Sequence, residues 1–198
     1  MLQEKKQQKT HSNLYDSDSV YGWVSILLHW VTAIAIIVLW FVGKSITDAA
    51  PEDTDAQRQL HISIAASAWL VILIRVIWRF RSGHPHVIGQ TLFIHRIAQV
   101  AHYSMLALVI LMLVSGPMMV WSNGNPVTIF SWISIPGPIG ASESTRTFAW
   151  FIHSNASWLL LWLFLLHVGG ALKHLMFNDD DTMVRMIWPE RGSSGVDR

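Results

Sequence analysis

Four long apolar stretches alternate with polar segments along the chain. Each is about twenty residues or longer, which is the length that an α-helix needs to cross a hydrocarbon core about 30 Å thick. The predicted spans are approximately residues 23–43, 60–80, 97–121 and 148–172. The pattern predicts an all-α integral membrane protein, a four-helix bundle, in which residues 21–176 form the membrane domain between two tails, 1–20 and 177–198.

Charge predicts the orientation of these spans. Basic residues collect in the N-terminal tail, in the second loop and after the fourth span, whereas the first and third loops contain few of them. Because cytoplasmic loops of membrane proteins are enriched in Lys and Arg, both termini are expected in the cytoplasm. The N-terminal tail has no apolar core segment, so it does not have the pattern of a cleavable signal peptide.

The composition agrees with a membrane protein and excludes several kinds of cysteine-dependent site. The chain is 52% hydrophobic and only 14% charged, whereas soluble domains carry about a quarter charged residues. A net charge of +1 gives no indication of a nucleic-acid partner. The sequence has no cysteine, which excludes disulfides, thiolate-bound iron–sulfur clusters and covalently attached c-type haem.

The fourth span contains two histidines at different predicted depths in the membrane. His153 and His167 are fourteen residues apart, and fourteen steps of about 100° fall close to four full turns, so both side chains leave nearly the same face. At about 1.5 Å per residue they are roughly 21 Å apart along the helix. One ring is therefore expected near each edge of the hydrocarbon core, as two stacked haems would require.

Histidines on the first two spans match these levels. His29 lies early in an outward-going span, at the cytoplasmic level of His167, and His61 lies early in an inward-going span, at the outer level of His153. The four residues predict two bis-imidazole haem sites. The alternative is four separate histidines bonded to backbone or hydroxyl groups, since a polar ring in lipid must find some partner.

Three further residues lie at the cytoplasmic level. Arg75 follows His61 by fourteen residues and is a candidate partner for a haem propionate; its alternative role is an interfacial anchor. His102 lies at the level of His29 and His167, so depth leaves open which two of these three bind iron; it is also a candidate contact for a quinone or a propionate. His174 is a candidate proton donor to a reduced quinone or a plain interfacial histidine.

Taken together with these histidines, several short strings resemble the bacterial cytochrome b561 family of four-helix, di-haem inner-membrane cytochromes. The resemblance covers approximately Tyr21 to Met186. The matching strings are Tyr21-Gly22, Leu28-His29-Trp30, Leu60-His61, Ile74-Arg75-Val76-Ile77-Trp78-Arg79, Ala101-His102-Tyr103, Leu166-His167-Val168, Lys173-His174 and Asp180-Asp181-Thr182-Met183-Val184-Arg185-Met186.

The resemblance implies two haem b groups in a multi-pass protein of the bacterial inner membrane. It favours His29–His167 and His61–His153 as the two axial pairs and leaves His102 outside the iron coordination. It also implies electron transfer between a periplasmic donor and the quinone pool. Superoxide oxidation coupled to ubiquinone reduction is attributed to this family, which makes the chain a candidate superoxide:ubiquinone oxidoreductase. Expected partners are membrane lipid, a quinone, superoxide or a periplasmic redox protein, and a second copy in a homodimer.

One departure from the family pattern affects the expected donor. The family carries an arginine before the glycine of the third loop, and this chain has Asn123-Gly124-Asn125-Pro126 instead. An alternative function is a haem-containing membrane anchor that conducts electrons for a periplasmic dehydrogenase. A haem-free transporter or proton channel is the third alternative; it would require carboxylates inside the spans, and the predicted spans contain none.

Overall fold

A computed structural model describes residues 14–17, 21–82, 92–173, 176 and 186–187. Its four helices are each long and apolar enough to cross a membrane, which confirms the predicted all-α membrane architecture. The expected tails fall mostly outside the described residues. The helices are α1 (Trp23–Asp48), α2 (Thr54–Arg81), α3 (Leu92–Ser122) and α4 (Glu143–Lys173).

The sequence provides recognisable signals at several helix ends. The Ser142 hydroxyl accepts the Thr145 backbone N–H at 3.3 Å, and the Ser142 carbonyl accepts the Arg146 N–H at 3.0 Å, so Ser142 caps the start of α4. In α2, Asp55 lies in the first turn and Arg79 in the last, where their charges complement the helix dipole. These signals place the helix ends just beyond the apolar stretches.

The third loop, between α3 and α4, contains a short hairpin that the sequence analysis did not anticipate. Strand β1 (Val127–Ile129) pairs antiparallel with β2 (Ile133–Ile135). The turn has left-handed backbone at both central residues, with φ of 44° at Phe130 and 63° at Ser131, and the Trp132 N–H donates to the Ile129 carbonyl at 2.9 Å. The run of β-branched residues in both strands is the signal that favours this structure.

The described residues group into two compact units, and each unit contains a segment of every helix. The first unit comprises the described residues up to Trp30, Ile74–Ser104 and those from Trp162 onward. The second comprises Val31–Leu73 and Met105–Leu161. Of the histidines predicted to matter, the first unit contains His29, His102 and His167, and the second contains His61 and His153.

The helices bury few of their apolar side chains. In the most apolar stretch of each helix, only 6–17% of the residues are buried, and large residues such as Leu27, Leu70 and Leu166 are more than half exposed. Exposed apolar surface of this extent marks a membrane-facing protein. Helices that satisfy their own backbone hydrogen bonds are suited to lipid contact.

Candidate functional site

The second unit contains one pair of histidines, called here the outer pair. His61 of α2 and His153 of α4 have ring centres 6.4 Å apart, and their planes are inclined at 86°. Two imidazoles on opposite sides of one metal ion, each bonded at about 2.0–2.1 Å, have ring centres on the order of 6 Å apart once the ring radii are added. The spacing of the outer pair therefore fits two axial ligands of one iron.

Glycines on neighbouring helices lie against both rings of the outer pair. A Cβ added to Gly43 of α1 would lie 3.2 Å from Cε1 of His61, and one added to Gly116 of α3 would lie 3.4 Å from Cε1 of His153. A larger side chain at either position would press on the imidazole. Gly43 and Gly116 therefore provide the space in which the two rings lie.

The second ring nitrogen differs between the two histidines. Nδ1 of His153 is 3.0 Å from the hydroxyl oxygen of Ser115 on α3, and Ser115 is buried. Such a partner fixes the ring and leaves Nε2 for a metal. Nδ1 of His61 is buried and makes no hydrogen bond to the described residues, although the backbone of Leu39 lies beside it.

The first unit contains three histidines, called here the inner group. The ring centres of His29 on α1 and His167 on α4 are 6.2 Å apart, a spacing that again fits two ligands of one iron. His102 on α3 lies closer, with its ring centre 5.1 Å from that of His167, and it is exposed. Of the two spacings, that of His29 and His167 is the nearer to the value for two imidazoles on one iron.

Arg75 lies in the same unit as the inner group. It is partly buried and within electrostatic range of His29. Its other charged neighbours include Arg79 and Asp16. A cation beside a histidine pair is suited to a haem propionate. The remaining predicted residue of this region, His174, lies outside the described residues.

A short N-terminal segment, predicted from the sequence to belong to the tail, packs within the first unit. The Asp16 carboxylate accepts the Gly22 N–H at 2.8 Å and the Ser25 hydroxyl at 2.7 Å. The indole N–H of Trp78 on α2 donates to the same Ser25 oxygen at 2.7 Å, and Tyr15 stacks on Trp78. Asp16 lies six residues before Gly22, which is not the position of an ordinary N-cap, so its place in the sequence does not indicate this contact.

The donor set favours haem over a non-haem metal ion. Among the residues that the structure describes, no three His, Cys, Asp or Glu side chains are arranged to hold a metal ion by themselves. Structural zinc needs four protein ligands and catalytic zinc three. Paired imidazoles suit an iron whose other four ligands are supplied by a porphyrin. The residues present therefore fit haem at both histidine pairs.

Comparisons with known proteins agree with this chemistry. The family model described as prokaryotic cytochrome b561 matches residues 20–189. The chain is also 29% identical over 186 residues to cytochrome b561 homolog 2 of Escherichia coli strain K12, an alignment that covers 89% of this chain and 95% of that protein. With its four membrane-crossing helices, this is a multi-pass protein of the bacterial inner membrane. The chain belongs to the prokaryotic cytochrome b561 family, a family of membrane electron-transfer proteins that bind haem b.

Proposed function

We propose that the chain binds two haem b groups and transfers electrons between a periplasmic donor and the quinone pool. The observation that carries the proposal is the ring spacing of 6.4 Å for His61–His153 and 6.2 Å for His29–His167. The first pair holds one haem and the second pair holds the other. When bound, each haem supplies reversible one-electron exchange at its iron.

The outer pair has the role of holding its haem rigidly. Ser115 fixes the orientation of His153, and the close approach of Gly43 restricts the position of His61. A ligand ring held in one orientation keeps its Nε2 directed at the iron, and the hydrogen bond on Nδ1 increases the basicity of the ligand. The greater basicity of the ligand would stabilise the oxidised form of the iron.

The inner group has features suited to a reaction that also consumes protons. Reduction of a quinone to a quinol takes two electrons and two protons. His102 is exposed beside His167, where a quinone entering from the membrane would meet it. Arg75 would hold a propionate of the inner haem, and His174, which the sequence predicts at the cytoplasmic surface, would pass protons to the quinone oxygen.

Superoxide is one candidate donor. Two superoxide ions would deliver two electrons and leave as two molecules of dioxygen, which balances the reduction of one ubiquinone with two protons. Electrostatic steering would speed the capture of such a small anion. Lys44 forms an ion pair with Asp48, and Arg58 forms one with Asp55. These pairs neutralise two of the basic residues expected on the outer side.

That neutralisation favours a second candidate, in which a periplasmic redox protein supplies the electrons and the chain is its membrane anchor and conduit. Measurement of haem reduction in proteoliposomes distinguishes between the two candidate donors. Enzymatically generated superoxide should reduce the haems of the wild type, and His61→Ala should lose this reaction if superoxide enters at the outer pair. Absence of haem reduction by superoxide, together with co-purification of a periplasmic dehydrogenase, would establish the conduit instead.

Reduction by dithionite is the control that distinguishes a wrong electron donor from a failure to bind haem. Dithionite reduces accessible haem whatever the natural donor. A wild-type preparation that dithionite reduces but superoxide does not reduce would contradict the superoxide reaction and leave haem binding intact. If dithionite produced no haem spectrum, the entire proposal would be wrong.

A further inference from the structure

An apolar groove runs between α1 and α2 in the second unit. It has a volume of about 420 Å³ and is lined by two residues of α1, five of α2 and the side chain of Phe130 from the hairpin turn. Ala35 on α1 and Ala68 on α2 are among the lining residues. Their small side chains leave the space that larger residues would fill in a closely packed helix pair.

The length of the groove suits an acyl chain. Its lining on α2 extends from Ile64 to Ile72, and eight residues at about 1.5 Å each give a length of roughly 12 Å along the helix. One leaflet is half of a hydrocarbon core about 30 Å thick. The groove therefore has nearly the length of the acyl region of a single leaflet.

The chemistry of the lining also suits a chain. Seven of its eight residues are apolar, and the exception is Ser67. The Ser67 hydroxyl already donates to the Ser63 carbonyl at 2.8 Å. No unused donor of the lining side chains is left for a quinone carbonyl or for a charged headgroup. An occupant of the groove gains only from apolar contact.

Phe130 is held at this groove by an unusual turn. A turn with left-handed backbone at both central positions normally uses glycine, asparagine or aspartate, and here Phe130 and Ser131 occupy those positions. The Phe130 N–H donates to Ser63 Oγ at 3.0 Å, and Thr128 Oγ1 donates to Gln59 Oε1 at 3.1 Å. These bonds hold the turn on α2 and compensate for the strained conformation.

The hairpin that carries Phe130 has the character of a membrane-interface segment. The sequence between Ser122 and Glu143 contains no charged residue. Trp132 at the turn is 90% exposed and Ile133 is 57% exposed. Tryptophan and uncharged apolar residues next to the ends of membrane helices typically lie among lipid headgroups. The groove therefore opens where lipids of one leaflet, rather than a soluble ligand, would meet it.

We propose that the groove between α1 and α2 is a binding site for one acyl chain of a phospholipid from the periplasmic leaflet, with Phe130 packed against that chain. The phospholipid would keep the hairpin in position above α2. Its headgroup would lie at the level of Gln59 and Thr128.

Native mass spectrometry of the haem-loaded protein in detergent tests the proposal. The wild type should retain one phospholipid per chain after detergent exchange. Ala68→Leu fills the groove from α2 and should reduce the retained phospholipid at least several-fold. Ala107→Leu makes the same change at an exposed position of α3 outside the groove and should leave it unchanged. The haem spectrum verifies that each variant is folded.

A second variant shows whether the effect of Ala68→Leu comes from filling the groove or from local misfolding of α2. Ala35→Leu fills the same groove from α1 and should have the same effect as Ala68→Leu. Equal phospholipid retention in the wild type and in a folded groove variant would overturn the proposal. Retention of a quinone in place of the phospholipid, lost in the same variants, would overturn the assignment of the occupant.

Discussion

The outer pair and the inner group hold histidines at closely similar spacings but surround them differently. In the outer pair, glycines lie against both rings and a buried serine bonds one of them. In the inner group, a third histidine touches the pair and a cation lies nearby, with the Asp16 carboxylate within its electrostatic range. The outer environment restricts its ligands, whereas the inner one offers groups that exchange protons and hold carboxylates. This difference suits the proposed reaction, in which electrons enter at one site and leave with protons at the other.

Removal of a ligand from the outer pair should have the largest effect. His153→Ala should reduce the haem content from two per chain to one, because a single imidazole does not replace a bis-histidine site. Pyridine haemochrome analysis against protein concentration measures the ratio. The remaining haem should keep the spectrum of the inner site.

His102→Ala is the matched control for this loss. Its ring centre is 5.1 Å from that of His167, shorter than the roughly 6 Å expected for two imidazoles on one iron, so the variant should keep both haems. If His102→Ala lost a haem and His29→Ala did not, the inner ligand pair would be His102 and His167 instead.

Replacement of the glycines that flank the rings of the outer pair by larger residues should have the next largest effect. Gly43→Val would press against His61, whose Cε1 is already only 3.2 Å from an ideal Cβ, and should lower occupancy of the outer haem several-fold. Gly116→Val should act similarly on His153. Gly169→Val has nothing within 4 Å of its Cβ and is the control. Full haem content in Gly43→Val would show that the glycine does not define the site.

The charge of the N-terminal segment should affect the inner haem alone. Asp16→Asn keeps much of the shape of the cap but removes a negative charge near Arg75. A lost negative charge favours the reduced iron, so the inner midpoint potential should rise by something on the order of tens of millivolts. Spectroscopic redox titration measures both potentials.

Asp53→Asn, at an exposed loop position in the other unit, is the control for that titration and should change neither potential. A rise in the outer potential of Asp16→Asn, or no change at all, would contradict the electrostatic link between Asp16 and the inner site.

Much of this architecture could be predicted from the sequence because lipid imposes strict rules. Apolar stretches of membrane length gave the four helices, and the cost of a polar ring in lipid singled out histidines such as His61 and His153. Arg75, which the sequence predicts at the level of His29 and His167, lies in the first unit with them.

Other features depend on contacts between helices, which periodicity does not reveal. Gly43 and Gly116 matter because of the ring that each one faces on another helix. Ser115 looks like any small polar residue in α3 until its distance to His153 is known. Asp16 was assigned to the tail because a polar segment before a helix gives little sign that it folds back onto that helix.

Removal of the hydrogen bond between Ser115 and His153 should have the smallest effect. Ser115→Ala removes a net interaction of about 1 kcal/mol and should leave both haems bound. Loss of the acceptor makes His153 a weaker donor to iron, so the outer potential should rise while the inner one stays constant.

Ser157→Ala provides the control for Ser115→Ala, since the Ser157 hydroxyl bonds only within its own helix, to the Ser154 carbonyl. It should leave both potentials unchanged. Equal potentials in Ser115→Ala and the wild type would mean that the serine does not tune the outer ligand.

The haem content of the detergent-purified wild type tests the central claim most directly. Pyridine haemochrome analysis combined with a reduced-minus-oxidised spectrum should give two low-spin b haems per chain, because each iron would have two imidazole ligands. One haem per chain would contradict the two-site scheme and leave only one of the two histidine groups as a ligand site. A colourless protein would contradict haem binding altogether.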